Sequence, residues 1–229
     1  MRSNKWIIFT FVIGLLILIY PHVAQIFNND LQKKQVNEFK TMINELPQDD
    51  IEKLMDKALR CNEEIFDKSN GFHDPFEENK AKLQSFKQCL GIEDDAMFGA
   101  IEIPKLKLLI PIYLGSSEEI LSKGVGHVEG SSIPIGGKGT RTVLAGHRGM
   151  WTKAMFRNID ELHDGDVFYI HSMDETLEYK VYKQQVIYPD ETDSLAVEDN
   201  KDLATLLTCH PYRYNYQRLL IHGERIQNK

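Results

Sequence analysis

The fold is decided by the stretch Thr205-Leu-Leu-Thr-Cys-His-Pro-Tyr-Arg-Tyr-Asn-Tyr-Gln-Arg-Leu-Leu-Ile-His-Gly-Glu-Arg225. Two short apolar runs, residues 203–208 and 219–221, have the composition of β-strands, and the residues between them favour a loop. If the two strands pair as an antiparallel hairpin, Cys209 leaves the first strand close to the point where Arg218 enters the second. We therefore expect a thiol and a permanent guanidinium cation to face each other across the mouth of the hairpin.

The composition of the whole chain narrows the class of protein. Its 229 residues, 42% hydrophobic and 27% charged, suffice for one sizeable globular domain with additional segments. The net charge of -7, without a basic stripe, argues against nucleic-acid binding. The three cysteines, Cys61, Cys89 and Cys209, show no Cys-x-x-Cys spacing, which disfavours a zinc site or a disulfide framework. We expect Cys61 and Cys89 to be free structural thiols, with a disulfide as the alternative.

The N-terminus carries an apolar segment. Residues 6–27 contain no Asp, Glu, Lys or Arg, while Arg2 and Lys5 precede them. About 20 apolar residues cross a bilayer, and a basic flank stays in the cytoplasm. A cleaved signal peptide needs small residues at its cleavage site, and Ala24 is the small residue nearby. We predict an uncleaved transmembrane anchor over 6–27 and a cytoplasmic tail over 1–5; a cleaved signal peptide or a buried soluble helix are the alternatives.

A helical segment is predicted over residues 28–95, outside the membrane. Apolar residues at three- and four-residue spacing indicate a helix over 31–46, a second one from about Asp50, and a third over 79–90. Between the second and third helices, Asn-Gly and Asp-Pro pairs predict a loop over about 70–78.

From residue 96 onward the pattern changes to short strands separated by turns rich in Gly and Pro. We predict strands over the two runs of the hairpin and over residues 98–104, 106–114, 142–145, 166–171 and 176–187. One short helix is predicted between 151 and 162. Residues 96–229 are therefore expected to form a mainly β domain, a barrel or a sandwich, with its boundary near Asp95.

Cys209 is a candidate nucleophile. Cysteine reacts as the thiolate, and with an ordinary pKa of ~8.5 only a few per cent is ionised at neutral pH, so that it needs a nearby imidazole or cation. His210 is its neighbour on the strand and points to the opposite face. His147 ends an apolar strand and enters a glycine-flanked turn, where functional groups are often carried. Each residue keeps a structural alternative: Cys209 as a small buried hydrophobe, Arg218 as a surface residue.

The order of these motifs resembles that of the sortases, membrane-anchored transpeptidases of Gram-positive bacteria. Thr205-Leu-Leu-Thr-Cys209 matches the Thr-Leu-x-Thr-Cys signature of the family. Leu144-Ala-Gly-His-Arg-Gly149 looks like the segment with its histidine, and Gln217-Arg-Leu-Leu-Ile-His-Gly-Glu-Arg225 like the strand with its arginine. Gly124-Val-Gly-His-Val-Glu-Gly-Ser-Ser-Ile-Pro134 is similar to sortases of the pilus-building class C. Asp74-Pro-Phe76 is similar to the lid motif of that class.

The resemblance implies a fold and a set of roles. The expected fold is mainly β: a sortase-type antiparallel closed β-barrel of about eight strands with short helices, preceded by the helical segment with its lid loop and by the transmembrane helix. Cys209 is expected to be the nucleophile that forms a thioacyl enzyme, His147 the acid and base, and Arg218 the group that stabilises the oxyanion. Leu207 and Thr208 are expected to contact the substrate.

The lid motif implies a cover over the site. Asp74, Pro75 and Phe76 are expected to place a carboxylate on Arg218 and an aromatic ring over the sulfur of Cys209. Replacement of the lid residues is then expected to increase access to the thiol.

The class C resemblance also implies partners and a location. The expected substrates are pilins with a Leu-Pro-x-Thr-Gly-like sorting signal, and the expected acceptor is a lysine of a second pilin, so that pili are polymerised. The protein is expected in the cell membrane, single-pass, with its catalytic domain outside and without a metal or another cofactor.

Class C sortases commonly carry a second hydrophobic helix after this domain, whereas the residues after Arg225 are polar. The alternatives are a single anchor or a longer natural chain.

Other functions stay open on the sequence. A housekeeping-type sortase would attach surface proteins to the peptidoglycan precursor, and a membrane-anchored assembly factor would lack catalysis. A generic cysteine peptidase is disfavoured because an arginine, and not an asparagine or aspartate, completes the group. The acidic stretch 189–202 is expected to be a solvated loop, since it lacks the spacing of an EF-hand calcium site.

Overall fold

Four α-helices and eight β-strands make up the part of the chain that the structure, a computed structural model, describes: residues 3–65, 74, 76, 80–91 and 96–226. The helices are α1 (Ser3–Glu45), α2 (Gln48–Ile65), α3 (Lys80–Leu90) and α4 (Glu118–Lys123). The strands are β1 (Met97–Ile103), β2 (Leu108–Leu114), β3 (Val125–His127), β4 (Thr140–Ala145), β5 (Val167–His171), β6 (Thr176–Ile187), β7 (Asp202–His210) and β8 (Gln217–Arg225). Short 3-10 turns cover Pro104–Leu106, Ile159–Glu161 and Asp193–Leu195.

The eight strands close into a barrel in the order β1-β2-β3-β4-β7-β8-β6-β5. Most neighbours are antiparallel, and the predicted hairpin is present as the antiparallel pair β7–β8. Two pairs, β2–β3 and β4–β7, are parallel, which requires crossover connections; α4 lies in the crossover between β2 and β3. The parallel register pairs Ala145 with Leu207, so that β4 and β7 end at the same rim of the barrel.

Strands β4, β7 and β8 are buried on both faces. Alternate side chains such as Leu144, Leu206 and Leu219 fill the barrel interior. Their neighbours form a second group on the outside of the barrel wall, the outer-face cluster: Leu121, Val128, Val143, Ala145, Ile187, Leu195, Leu207 and Leu220. Burial on two faces explains why these strands read as continuous apolar runs and not as alternating ones. Each fully buried aliphatic side chain contributes roughly 1.5–3 kcal/mol to folding.

The N-terminal region is one continuous helix. The predicted span 6–27 and the predicted helix 31–46 merge into α1, whose 43 residues extend about 64 Å. The apolar part of α1 is long enough to cross a membrane, and none of its 18-residue window is buried by the rest of the chain. Toward its C-terminal end α1 packs along β1 and β2 and buries Val36 and Phe39. One half of α1 therefore belongs to the folded domain and the other is uncovered.

A disulfide joins α2 to α3. Cys61 and Cys89 are bonded, with their Cα atoms 5.8 Å apart, so the expectation of free thiols is wrong. The reason lies in tertiary packing: α2 packs against α3, and this contact brings the two cysteines together within one apolar cluster.

The third helix, α3, ends at Leu90 as predicted, and Gly91 follows it with a positive φ of +64°. The expected domain boundary at Asp95 lies outside the described residues.

Two other local features differ from prediction. The helix expected between 151 and 162 is reduced to the 3-10 turn Ile159–Glu161, because Met155 has a positive φ of 46° that an α-helix cannot contain. The helix α4 was not predicted, although Ser117 accepts a hydrogen bond from the Ile120 amide as its N-cap.

Candidate active site

The hairpin places the thiol and the guanidinium opposite each other. Cys209 of β7 pairs directly with Arg218 of β8, as the sequence predicted. Because side chains alternate along a strand, Cys209 lies on the same face as Leu207, and Arg218 on the same face as Leu220. Both leucines belong to the outer-face cluster. The candidate site therefore lies on the outside of the barrel wall, at the rim, next to an apolar floor.

His147 is tied to the same rim through its two neighbours. The amide of Gly146 donates to the Leu207 carbonyl over 3.0 Å, and the Thr208 hydroxyl donates to the Gly146 carbonyl over 2.7 Å. On the other side of the histidine, Arg148 Nη1 lies 3.5 Å from the Cys209 carbonyl, at the outer limit of a hydrogen bond. The end of β4 is thus connected to the end of β7 immediately before and after His147.

An acidic side chain lies beside the imidazole of His147. Glu118 Oε1, in the first turn of α4, lies 3.3 Å from His147 Nε2. This is an ion-pair distance without hydrogen-bond alignment, and within the described part of the chain Nε2 has no hydrogen-bond partner. This ring nitrogen is buried and without a hydrogen-bond partner in the closed form, so a substrate can reach it only after the surrounding side chains move. The sequence analysis missed Glu118 because it missed α4; the N-cap Ser117 with two following glutamates was the signal.

Arg218 is held rigidly. Its Nη1 donates to the carbonyl oxygens of Asn215 and Gln217, each over 3.0 Å. Its Nε donates to Asp74 Oδ1 over 3.0 Å, and its Nη2 donates to Asp74 Oδ2, so that the carboxylate binds in the two-pronged geometry that a guanidinium favours. The arginine side chain is 9% exposed and that of Asp74 15%. The predicted ion pair between the lid and Arg218 is present in the structure.

Phe76 covers the guanidinium from another side. The Cζ atom of Arg218 lies 5.0 Å from the centre of the Phe76 ring, a cation–π contact, and the ring packs against the outer-face cluster. The sequence predicts a ring over the sulfur of Cys209, and that contact stays a prediction; the structure places the ring on Arg218 and on the outer-face cluster. Pro75 lies outside the described residues. The two described lid residues therefore occupy the apolar floor and the cation together.

The electrostatics favour the neutral thiol in this closed form. Burial raises the pKa of Cys209, and the carboxylates of Asp74 and Glu118 raise it further, whereas Arg218 and Arg148 oppose the rise. A thiolate is thus disfavoured while Asp74 lies on Arg218.

The remaining predicted residues have structural contacts. Leu207 lies in the outer-face cluster, and the Thr208 side chain holds the turn before His147; their contact with substrate stays a prediction. Arg148 is a residue that sequence reasoning passed over, although it directly follows His147. It binds Asp160 at 3.0 Å and His210 Nδ1 at 3.2 Å, and so braces the turn against the end of β7.

Comparison with known proteins identifies the family. A closed eight-stranded barrel that presents a cysteine, a histidine and an arginine at one rim is the arrangement of a cysteine transpeptidase. The model of the Sortase domain matches residues 101–226, more than half of the chain. The chain belongs to the sortase family.

Solved structures of similar proteins indicate the class of sortase. The chain is 34% identical to a sortase C of Streptococcus pneumoniae, with a TM-score of 0.76 over 85% of this chain and 97% of that one. It is 38% identical to a pilus-related sortase C of group B Streptococcus, with a TM-score of 0.76 over 85% and 98%. These neighbours support class C.

Among curated relatives, sortase D of Bacillus subtilis is 31% identical over 56% of this chain and 63% of its own length. Sortase A of Bacillus anthracis is 30% identical over 60% of this chain and 64% of its own length. The chain thus spans less than two thirds of the curated relatives it matches.

Proposed function

We propose that this protein is a membrane-anchored cysteine transpeptidase that cleaves a Leu-Pro-x-Thr-Gly-like sorting signal in pilin subunits and joins the acyl part to a lysine amine of a second pilin. The observation that carries the proposal is the occupation of Arg218 by Asp74, directly across the hairpin from Cys209. One chemical property of the guanidinium accounts for this arrangement: the group that binds a carboxylate in the closed form can bind a developing oxyanion in the open one. The pilus-related neighbours support pilins as substrates.

The reaction follows from the three side chains. Once the lid is open, His147 takes the proton of the Cys209 thiol, the sulfur attacks the carbonyl carbon of the threonine in the signal, a C–S bond forms, and Arg218 donates hydrogen bonds to the negative oxygen. The C–N bond to glycine then breaks, and His147 gives that proton to the leaving amine. The incoming lysine amine attacks the thioester, His147 accepts a proton from it, the C–S bond breaks to release a new amide, and His147 returns the proton to the sulfur.

The surface beside the thiol suits an apolar signal. Leu207 and Leu220 form its floor, and Phe76 lies on the cluster to which they belong. The Leu and Pro side chains of a sorting signal gain by burial on such a floor. The lid and the signal therefore compete for one surface, and the signal binds when the lid has left.

Two features support an anchor with the barrel outside the cell. The apolar window of α1 has no cover within the described chain, and the Cys61–Cys89 disulfide is of the kind that forms in oxidising surroundings. We accordingly propose residues 1–5 as a cytoplasmic tail, 6–27 as the anchor, 28–95 as the external helical segment and 96–229 as the catalytic barrel. The sortase family acts at the surface of Gram-positive cells.

The test is polymerisation by the purified full chain. The protein is incubated in detergent with a candidate pilin that carries its sorting signal, and products are separated on a denaturing gel. We expect a ladder of covalent pilin multimers that disappears in Cys209→Ala and in His147→Ala but persists in His163→Ala, a matched change at an exposed histidine. Replacement of the acceptor lysine in the pilin is expected to stop the ladder while cleavage continues.

Other products would contradict parts of the proposal. Transfer to a peptidoglycan-precursor peptide in preference to pilin would replace pilin polymerisation with wall attachment. Release by water alone would indicate a peptidase. Undiminished pilus assembly by Cys209→Ala in cells would exclude catalysis as the function.

A further inference from the structure

Three amide side chains fasten α1 to the barrel. Gln25 Nε2 donates to the carbonyl of Trp151 over 3.2 Å, and Asn28 Nδ2 donates to the carbonyl of Thr152 over 3.0 Å. One turn further on, Gln32 Nε2 donates to the carbonyl of Lys123 over 3.3 Å. Their spacing of three and four residues places Gln25, Asn28 and Gln32, the amide latch, on one face of the helix.

The latch sets the barrel at a defined height along the helix. Gln25 lies within the last turn of the anchor proposed over residues 6–27, so its partner loop lies where α1 emerges from the hydrocarbon layer. The loop is the one that begins at His147. Because a helix is stiff over this length and is bonded to the loop at two successive turns, the height of the loop above the bilayer is restricted.

The loop carries Trp151 at the level where α1 leaves the membrane, and tryptophan favours a membrane interface. Trp151 is 74% exposed, and its backbone carbonyl is the group that binds Gln25. Tryptophan is enriched at the level of lipid headgroups, where its ring is partly buried and its N–H finds a polar partner. An exposed tryptophan beside the end of a membrane span therefore has a natural environment in the headgroup layer.

A cationic groove lies next to the latch. It encloses about 280 Å³ between α1 and the barrel, and its lining includes Gln25, Lys105, Lys107, Arg157 and Glu161. Lys105 forms an ion pair with Asp166 at 2.7 Å, and Lys107 and Arg157 against Glu161 leave the groove with a positive balance. Lysine and arginine are the side chains that bind phosphate groups, and basic residues close to a bilayer are attracted to anionic lipids.

We propose that the barrel docks on the outer surface of the bilayer, with Trp151 in the headgroup layer and the groove cations facing lipid phosphates. This inference rests on the proposed anchor. It means that the rim with Cys209 and His147 is held close to the membrane surface, and that the enzyme meets sorting signals that lie near that surface. The occupant of the groove is the headgroup phosphate of membrane lipids.

The chain contains two tryptophans, Trp6 and Trp151, which makes the proposal measurable. The full chain is reconstituted in phosphatidylcholine–phosphatidylglycerol vesicles that contain a lipid with a nitroxide on its headgroup. Fluorescence quenching is recorded for Trp151 alone, in Trp6→Phe, and for Trp6 alone, in Trp151→Phe. We expect the nitroxide to quench both, Trp6 through the anchor and Trp151 through docking.

The two possible failures are distinguishable. Quenching of Trp6 without quenching of Trp151 would overturn docking and leave the anchor intact. Quenching of neither would overturn the anchor and docking together.

A second measurement tests the latch itself. In the Trp6→Phe background, Gln25→Leu with Asn28→Leu removes both hydrogen bonds to the loop, and we expect the quenching of Trp151 to fall. Gln35→Leu, a similar change at an exposed position of α1, is expected to leave it unchanged. Equal quenching in the latch variant and the control would show that the latch does not set the height of the barrel.

Discussion

Replacement of Asp74 by alanine is the sharpest perturbation of the closed site. It removes two charge-assisted hydrogen bonds to Arg218, both between side chains that are largely buried. A hydrogen bond to a charged group contributes about 1.5–3 kcal/mol. Because both bonds join the same carboxylate and guanidinium, and water replaces them when the lid opens, we count the pair as one such contribution, and the ratio of open to closed lid is expected to rise about 10- to 150-fold. The loss of the carboxylate also removes one cause of the raised pKa of Cys209, which increases the thiolate fraction at a given pH.

The assay is the rate of alkylation of Cys209 at neutral pH in the full chain. The other two cysteines are joined in a disulfide, so the reagent reports on Cys209. We expect the rate in Asp74→Ala to rise about 10- to 150-fold, in proportion to the open population, and its pH midpoint to move lower. Phe76→Ala is expected to change the rate in the same direction, because it removes the apolar contact of the same lid.

The control is Asp190→Ala, which removes a carboxylate from an exposed loop. An unchanged rate in Asp74→Ala would refute the reasoning, because the ion pair would then not limit access to the thiol. An equal increase in the Asp190 variant would also refute it. Thermal unfolding of each variant separates lid opening from a general loss of structure.

Three further predictions concern other parts of the molecule. In Arg218→Lys, a point charge cannot reproduce the two-pronged geometry, and we expect the turnover of a signal peptide to fall by about 10²-fold or more. The pKa of His127 is lowered by burial from 6.5 to about 4, so its contribution to the free energy of unfolding, measured in detergent as the difference from His127→Gln, is expected to decrease by roughly 3 kcal/mol as the pH falls from 6.5 toward 4. Cys61→Ser with Cys89→Ser opens a loop of separation 28, and we expect the chain to lose about 3.5 kcal/mol of stability.

Each of these predictions has a contradicting result. Near-normal turnover in Arg218→Lys would show that charge alone suffices for the reaction. The sign of the His127 effect follows from its neutral buried ring: the unfolded chain takes up a proton below pH 6.5 that the folded chain excludes. A pH-independent stability, or an equal slope in His127→Gln, would contradict this. An unchanged melting temperature in the serine variant would show that helix packing, and not the disulfide, holds α2 to α3.

The parts of the fold with strong local patterns were predictable. Strand β6 begins and ends at Thr176 and Ile187, the predicted bounds; its sequence alternates up to Val181, and a register shift between Val181 and Lys183 interrupts the pattern. The hairpin β7–β8 was predictable because two apolar runs flank a short segment that contains Pro211 and Asn215. The site residues Cys209 and Arg218 came with that hairpin, and His147 with the turn that follows β4.

The parts that depend on tertiary contacts were not predictable. Strand β3 has three residues, which is too short for a periodic pattern, and its partners are distant in sequence. The disulfide depends on how α2 packs on α3. Glu118 comes close to His147 only because a crossover helix returns to the barrel rim. In each case the deciding contact joins segments that are distant in sequence, and the local pattern of either segment does not determine it.

The disulfide between α2 and α3 has a consequence for the lid. Asp74 and Phe76 lie between Cys61 and Cys89 in sequence, so a covalent ring contains them. Asp74 and Phe76 are therefore joined covalently to the folded domain on both sides, which limits their greatest distance from Arg218. The effective concentration of the lid at Arg218 stays high, on the order of millimolar for a short tether. A separate peptide with the sequence Asp-Pro-Phe would need a comparable concentration to take its place.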